Sequence, residues 1–259
     1  MISRMFRPFV VAFVAASVLV LPDSGAVAAQ TLTSGDQVVR AMHDRYQSTW
    51  YHTLTFTQKT TRRTPADTMV VETWYESAAV PGRLRIDIAP RPGGRSIIFA
   101  NDSIFVTRGD SVLRRVSGRN PLLILGFDVY GQSPERTMAV LRAEGFNLAP
   151  VHEDTWKGRK VYVVGANAGD LRSKQFWVDK ERLLFVRLLE PSRADSTKMD
   201  DTRFDNYQKL GGGWIAPTVE SYSGGKLVQR EEYRDIKADP ALPDGLFTAG
   251  SSAAAPPRL

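Results

Sequence analysis

Three histidines, His43, His52 and His152, are where acid–base or metal chemistry would first be sought in this chain. None sits in a His-x-x-x-His or His-x-x-Glu-His spacing, the patterns that aim zinc ligands from one short segment. His43 and His52 flank a helix-to-strand junction, where a surface imidazole is the ordinary reading. Gly109-Asp110-Ser111 is like the start of a lipolytic serine-hydrolase block, yet it falls between two strands with hairpin-turn composition. No Gly-x-Ser-x-Gly elbow exists. Asp200, Asp201, Asp205 and Asn206 crowd oxygens together, but the glycine and closing glutamate of a calcium loop are missing. Gly211-Gly212-Gly213 precedes neither Lys-Ser/Thr nor a helix, so it cradles no phosphate. Cysteine is absent, which removes disulfides, thiolate nucleophiles and cysteine-ligated zinc. The expectation is a protein that is not an enzyme and uses no cofactor or metal.

What the spacing does concentrate is apolar and aromatic side chains on alternating positions. Arg83-Leu84-Arg85-Ile86-Asp87-Ile88 puts Leu84, Ile86 and Ile88 on one face of a strand and Arg85 and Asp87 on the other. Leu54 and Phe56 alternate with threonines in the same way. Trp74, Phe99, Phe105, Phe176, Leu184 and Val186 lie on further strands, and Leu123 on a short apolar helix. The only chemistry such residues offer is burial, about 0.8 kcal/mol for each methylene taken out of water. Any one of them is ordinary core. Together they exceed what a single sheet can bury against itself, so part of this lining must face helices or a ligand.

The elements that position them follow from the pattern. A helix over 35–50 is capped by Ser34 or Asp36 and carries Val38, Val39, Met42, Tyr46 and Trp50 on one stripe. Two more helices are expected at 121–127, after Asn120-Pro121, and at 134–144, between Ser133 and Gly145. Everything else reads as short strands with connectors such as Asn101-Asp102, Gly109-Asp110 and Ser223-Gly224-Gly225. Such connectors are too short for a parallel crossover, so neighbouring strands must be antiparallel. The fold class is therefore mainly β (α+β): a single curled antiparallel sheet of about ten strands, forming a half-open barrel capped by about three helices.

Residues 1–29 read as a leader. Arg4 and Arg7 precede an apolar run from Phe9 to Leu21, and Ala26-Val27-Ala28-Ala29 supplies the small residues of a cleavage site. The run is shorter than the roughly 20 residues a membrane span needs. Export to the periplasm, a domain at 30–249 and a disordered tail at 250–259 are expected. The formal charge of +6 becomes +5 when Arg4, Arg7 and Asp23 leave with the leader. That excess is dispersed, with Arg62-Arg63 and Arg114-Arg115 as the densest pairs. Lys and Arg at strand edges discourage sheet-to-sheet pairing, and no basic stripe interleaved with aromatics points to nucleic acid.

Several pieces taken in order carry a resemblance. They are Leu54-Thr55-Phe56-Thr57-Gln58, Trp74-Tyr75-Glu76, Pro81-Gly82-Arg83-Leu84-Arg85-Ile86 and Phe176-Trp177-Val178-Asp179 followed by Leu183-Leu184. Gly213-Trp214-Ile215-Ala216-Pro217 and Leu242-Pro243-Asp244-Gly245-Leu246-Phe247 complete the series. With the leader in front, the chain resembles the LolA/LolB-like periplasmic carriers that sort outer-membrane lipoproteins. The resemblance implies a soluble, monomeric periplasmic carrier that buries acyl chains of lipoproteins or other lipids between sheet and lid. The apolar residues named above would line that cavity, and a membrane protein would be a transient donor or acceptor. It also implies an alternative, an envelope-stress sensor that uses the same fold to bind lipid or a membrane partner. One departure is visible. Val80 stands where family carriers often have a basic residue that bonds toward the lid, which leaves a comparable gating bond in doubt.

Overall fold

The computed structural model describes residues 31–91 and 93–250. The expected leader (1–29) and the tail beyond Gly250 lie outside the described residues. The described chain opens with helix α1 (Gly35–Tyr46), whose cap is the Ser34 hydroxyl accepting from the Gln37 N–H. The helix stops four residues short of the expected end. Trp50 nevertheless stays buried, because a turn closed by its N–H on the Tyr46 carbonyl carries it back onto the helix.

Hairpins follow: β1 (Thr53–Arg63), β2 (Met69–Ala79), β3 (Arg83–Ile88), β4 (Arg95–Ala100), β5 (Ser103–Arg108) and β6 (Ser111–Ser117). The helical middle comprises α2 (Pro121–Gly126), a 3-10 turn (Asp128–Tyr130) and α3 (Pro134–Ala143). Asn120 and Ser133 cap the two helices, each with proline in the first turn. Gly145, at φ 86°, ends α3 in the left-handed conformation that glycine adopts without a Cβ penalty.

The second half returns through β7 (Val151–Trp156), β8 (Arg159–Val164), β9 (Gln175–Asp179), β10 (Phe185–Pro191) and β11 (Met199–Asp205). A small pair, β12 (Gln208–Leu210) with β13 (Gly213–Ile215), then leads to β14 (Thr218–Ser223) and the long β15 (Lys226–Ala238).

The main sheet has thirteen strands instead of about ten, in the order β6-β5-β4-β3-β2-β1-β15-β14-β11-β10-β9-β8-β7. Every adjacent pair is antiparallel. Each short hairpin arm hydrogen-bonds to its neighbours as a strand of its own, although four of the pairings carry a register shift. A sheet of this width cannot stay flat, and this one curls without closing. The topology also places the helices. The chain leaves the sheet at one edge, β6, and re-enters at the other, β7, so α2, the 3-10 turn and α3 must cross its inner face. The stretches 199–210 and 213–223 each break into two strands, the first at Asn206 with φ 58°.

The principal core lies between the inner face and the helices. Trp50 stacks on Tyr130 with centroids 3.9 Å apart, and Tyr46 meets the same ring edge-on at 5.4 Å. A smaller cluster of Val161, Val163, Trp177, Val186 and Leu189 occupies the outer face. Beside it the Asp201 carboxylate takes bonds from Arg187 and Arg203 at 2.6–3.0 Å. Burial would raise this acid, but the two guanidiniums hold it below the usual carboxylate range. Of the aspartates considered for calcium, Asp201 is thus a partner of arginines, Asp205 pairs with Lys157 and Arg159, and Asp200 accepts from the Ser223 hydroxyl. Among the described residues no group of three or more possible metal ligands comes together. No helix there is long and apolar enough to cross a membrane, which leaves β-barrel spans unaddressed.

Candidate functional site

The lid is held unequally on its two sides. Toward β9 and β10 it is tied by aromatic hydroxyls and close packing. The Tyr130 oxygen accepts from the Phe185 N–H at 3.0 Å, Tyr46 donates to the Arg182 carbonyl at 2.6 Å, and Leu125 and Leu141 are fully buried. Toward the turns of β2–β3 and β4–β5 the lid and the sheet are instead separated by a cavity of about 830 Å³. Phe99, Leu123, Ile124 and Pro81 give this cavity an apolar wall. Arg83, Arg119, Arg136, Asp102 and Asp128 give it a charged one.

Two polar bridges span the cavity. Gly82, at φ 78° in the turn after Pro81, donates its N–H to Asp128 Oδ1 at 2.8 Å. A bond between this turn and the lid therefore exists without a basic residue at position 80: the main chain is the donor and the lid supplies the acid. Arg83 and Arg85 do not substitute in it. Arg85 turns outward to Asp87 and the Leu246 carbonyl, and Arg83 lies over the Phe247 ring. Asp128 is almost wholly buried, and that burial pushes its carboxyl up to about 7, against the lowering pull of the Gly82 N–H and the Arg119 charge. The second bridge is ionic. Asp102, in the β4–β5 turn, pairs with Arg119 before α2 and with Arg136 on α3.

Of the residues singled out in the sequence, Leu54, Phe56, Trp74, Leu84, Ile86, Ile88, Leu123, Phe176 and Leu184 fall in one buried inner-face cluster, with Phe99 packed against it. Only Phe99 and Leu123 of the full set line the cavity. Phe176 and Leu184 are completely buried, while Trp74, Leu84 and Ile86 keep 8–9% exposure.

Two placements are corrected. Val186 belongs to the outer cluster, because a bulge opposite β9 between Phe185 and Arg187 breaks the alternation that would have paired it with Leu184. Phe105 faces outward as well. It opposes Ile98, which in turn opposes Arg85, and Ile104 takes the inner position opposite Phe99. Ile104-Phe105-Val106 is apolar throughout, so its facing could not be read from alternation.

Sequence reasoning also missed a polar patch on the inner face. Gln58 is fully buried between the opposing Trp74 and Tyr233, and its Nε2 donates to Thr60 Oγ1 at 2.7 Å. Its Oε1 has no partner among the described residues. Glu76 and Glu231 flank it on the neighbouring strands, and Glu231 accepts from Tyr233 at 2.7 Å and Gln229 at 2.6 Å. Burial raises both carboxyls, and the Glu231 charge raises Glu76 further. The available signal was a polar residue in register with apolar ones: Gln58 falls on the same face as Leu54 and Phe56.

The fold is that of LolA/LolB-like proteins. A DUF1329 family protein from Desulfovibrio piger superposes with TM-score 0.55 at 15% identity, over 82% of this chain and 95% of that one. A putative outer membrane lipoprotein-sorting protein domain from Vibrio parahaemolyticus gives 0.56 at 12% identity, over 83% and 96%. The LolA superfamily protein NE2245 from Nitrosomonas europaea gives 0.50 at 13% identity, over 81% and 97%. Likeness at these identities shows the fold. No family model and no curated protein matches the chain.

Proposed function

We propose that this protein is a non-enzymatic periplasmic carrier that takes the acyl chains of lipoproteins or other lipids between sheet and lid and moves them toward the outer membrane. The observation that carries the reading is the unequal mounting of the lid. One side is welded to β9–β10 by rings and hydroxyls, and the other stands off the sheet over a cavity whose apolar wall adjoins the main core. A lid so mounted can swing on its packed side and admit a chain on the other. Affinity would come from burial, about 0.8 kcal/mol per methylene, with no directional contact needed along the chain. The lipoprotein-sorting description of the Vibrio neighbour and the leader read from the sequence support the same assignment.

The test is native mass spectrometry of the mature protein isolated from its own cell envelope, followed by lipid extraction. A stoichiometric acylated species is expected, and it should be lost in Phe99→Asp with an unchanged circular dichroism spectrum. Protein that emerges without cargo and ignores fluorescent fatty acids would overturn the reading.

A further inference from the structure

The charged wall of the cavity has a composition that acyl-chain binding does not explain. Arg83 enters from the start of β3, Arg119 from the segment before α2 and Arg136 from α3, so arginines of three separate elements line one space, the Arg83 guanidinium resting 5.3 Å from the centre of the Phe247 ring beside it. The N-terminal end of α3, a helix of 10 residues capped by Ser133, borders the same space and adds its own positive end. Two acids line the space with them, and a third, Glu144, accepts from the Arg119 main-chain N–H at 3.3 Å. Asp128 is already occupied by the Gly82 N–H and its pKa near 7 leaves it partly neutral at neutral pH. Asp102 is 60% exposed at its side chain and sits on a surface turn, where it pairs with both Arg119 and Arg136. Arg83 has no carboxylate within 4 Å among the described residues. The wall therefore holds more positive charge than its acids neutralise, next to apolar side chains that lead into the core.

We propose that Arg83, Arg119 and Arg136 form a binding site for a phosphate group, carried as the head of the amphiphile whose chain enters along Phe99 and Leu123. This deepens the carrier reading and rests on it. Guanidiniums suit such a ligand because their planar fork donates paired hydrogen bonds to oxyanions and stays charged at all relevant pH values. Asp102 then acts as a built-in competitor. Its carboxylate occupies the two lid arginines in the empty protein, and a phosphate that takes its place also detaches the β4–β5 turn from the lid. Headgroup recognition and lid release become one event.

The experiment uses the delipidated mature chain and compares a single-chain lysophosphatidic acid, a monoacylglycerol of equal chain length and inorganic phosphate. The phosphate amphiphile is expected to bind about tenfold more tightly than the neutral one, with the preference shrinking as salt is raised. Arg83→Gln/Arg136→Gln, both at exposed side chains, should erase the preference, bringing the affinity for the phosphate amphiphile down to that of the monoacylglycerol. Asp102→Asn should enlarge it. Inorganic phosphate should compete only weakly. If it binds as tightly as the amphiphile, the arginine site is for free phosphate and the lipid assignment fails. Equal binding of the two amphiphiles, or a preference that survives the double substitution, overturns the inference while the carrier reading stands. Failure of every probe overturns both.

Discussion

Asp128 shows how one side chain can be set by its surroundings more than by its type. Its carboxyl accepts the Gly82 N–H from inside a nearly closed space, and the folded protein prefers it protonated. An acid whose folded pKa lies above its unfolded value contributes stability below the unfolded value, and this is lost as pH rises through the folded one. The relevant window runs from about 3.8 to about 7. At 1.36 kcal/mol per pH unit, the loss across it is on the order of 4 kcal/mol as an upper bound. Asp128→Asn keeps an oxygen for Gly82 but cannot ionise. Urea melts at several pH values should therefore show the variant gaining on the parent as pH climbs from 4 to 8. A gap that stays constant with pH would contradict the raised carboxyl.

At the scale of elements, the lid has two kinds of attachment with different strengths. The β9–β10 side combines buried apolar contact with ring stacking and hydroxyl bonds to main-chain groups, each such bond worth roughly 1 kcal/mol. On the opposite side Asp102 and Arg136 are more than half exposed while Arg119 is mostly covered, and the Asp102 pairs contribute about 0–1 kcal/mol. Asp102→Ala should thus leave global stability within about 1 kcal/mol. Amide exchange should speed up in the β4–β5 turn and in α2, but not in β9 and β10. Faster exchange on both sides alike would mean that the lid does not swing about its aromatic side. Element ends were readable where a cap declared them: of Ser34 and Asp36 the first caps α1, Ser133 caps α3, and α2 starts where Asn120-Pro121 placed it. The C-terminus of α1 was not, because Trp50 continues the apolar stripe through a turn that is no longer helix.

For the whole molecule, the described residues from Leu32 onward form a single compact unit. Its core is one inner cluster shared by both halves of the sheet. Phe176, fully buried and edge-on to Phe146 at 5.7 Å, sits deep in that cluster. Phe176→Ala should cost about 3–5 kcal/mol in a single cooperative urea transition. Separate transitions for the two halves of the sheet would deny the shared core. The sheet's free edges carry their own protection: all of β6 is exposed, and Arg114 and Arg115 lie along it. Arg62 and Arg63 lie instead on the central strand β1, bonded to Glu72 and Asp67.

Sequence alone determined the run of antiparallel strands, three helices and the two-faced character of β1 and β3, though not that β1 pairs with β15. Short connectors, caps and strict alternation are local, and they act on a few residues at a time whatever lies elsewhere in the chain. Tertiary structure alone decided which way Phe105 and Val186 point, since a bulge or an all-apolar strand carries no local mark of its facing. It likewise decided that Gly82 meets Asp128 and that Asp102 meets Arg119 and Arg136. It buried Gln58 between two carboxyls as well. These groups come from elements that only the path of the chain from one edge of a curled sheet to the other brings together. Burial there resets their protonation and pairing in ways no neighbour in sequence controls.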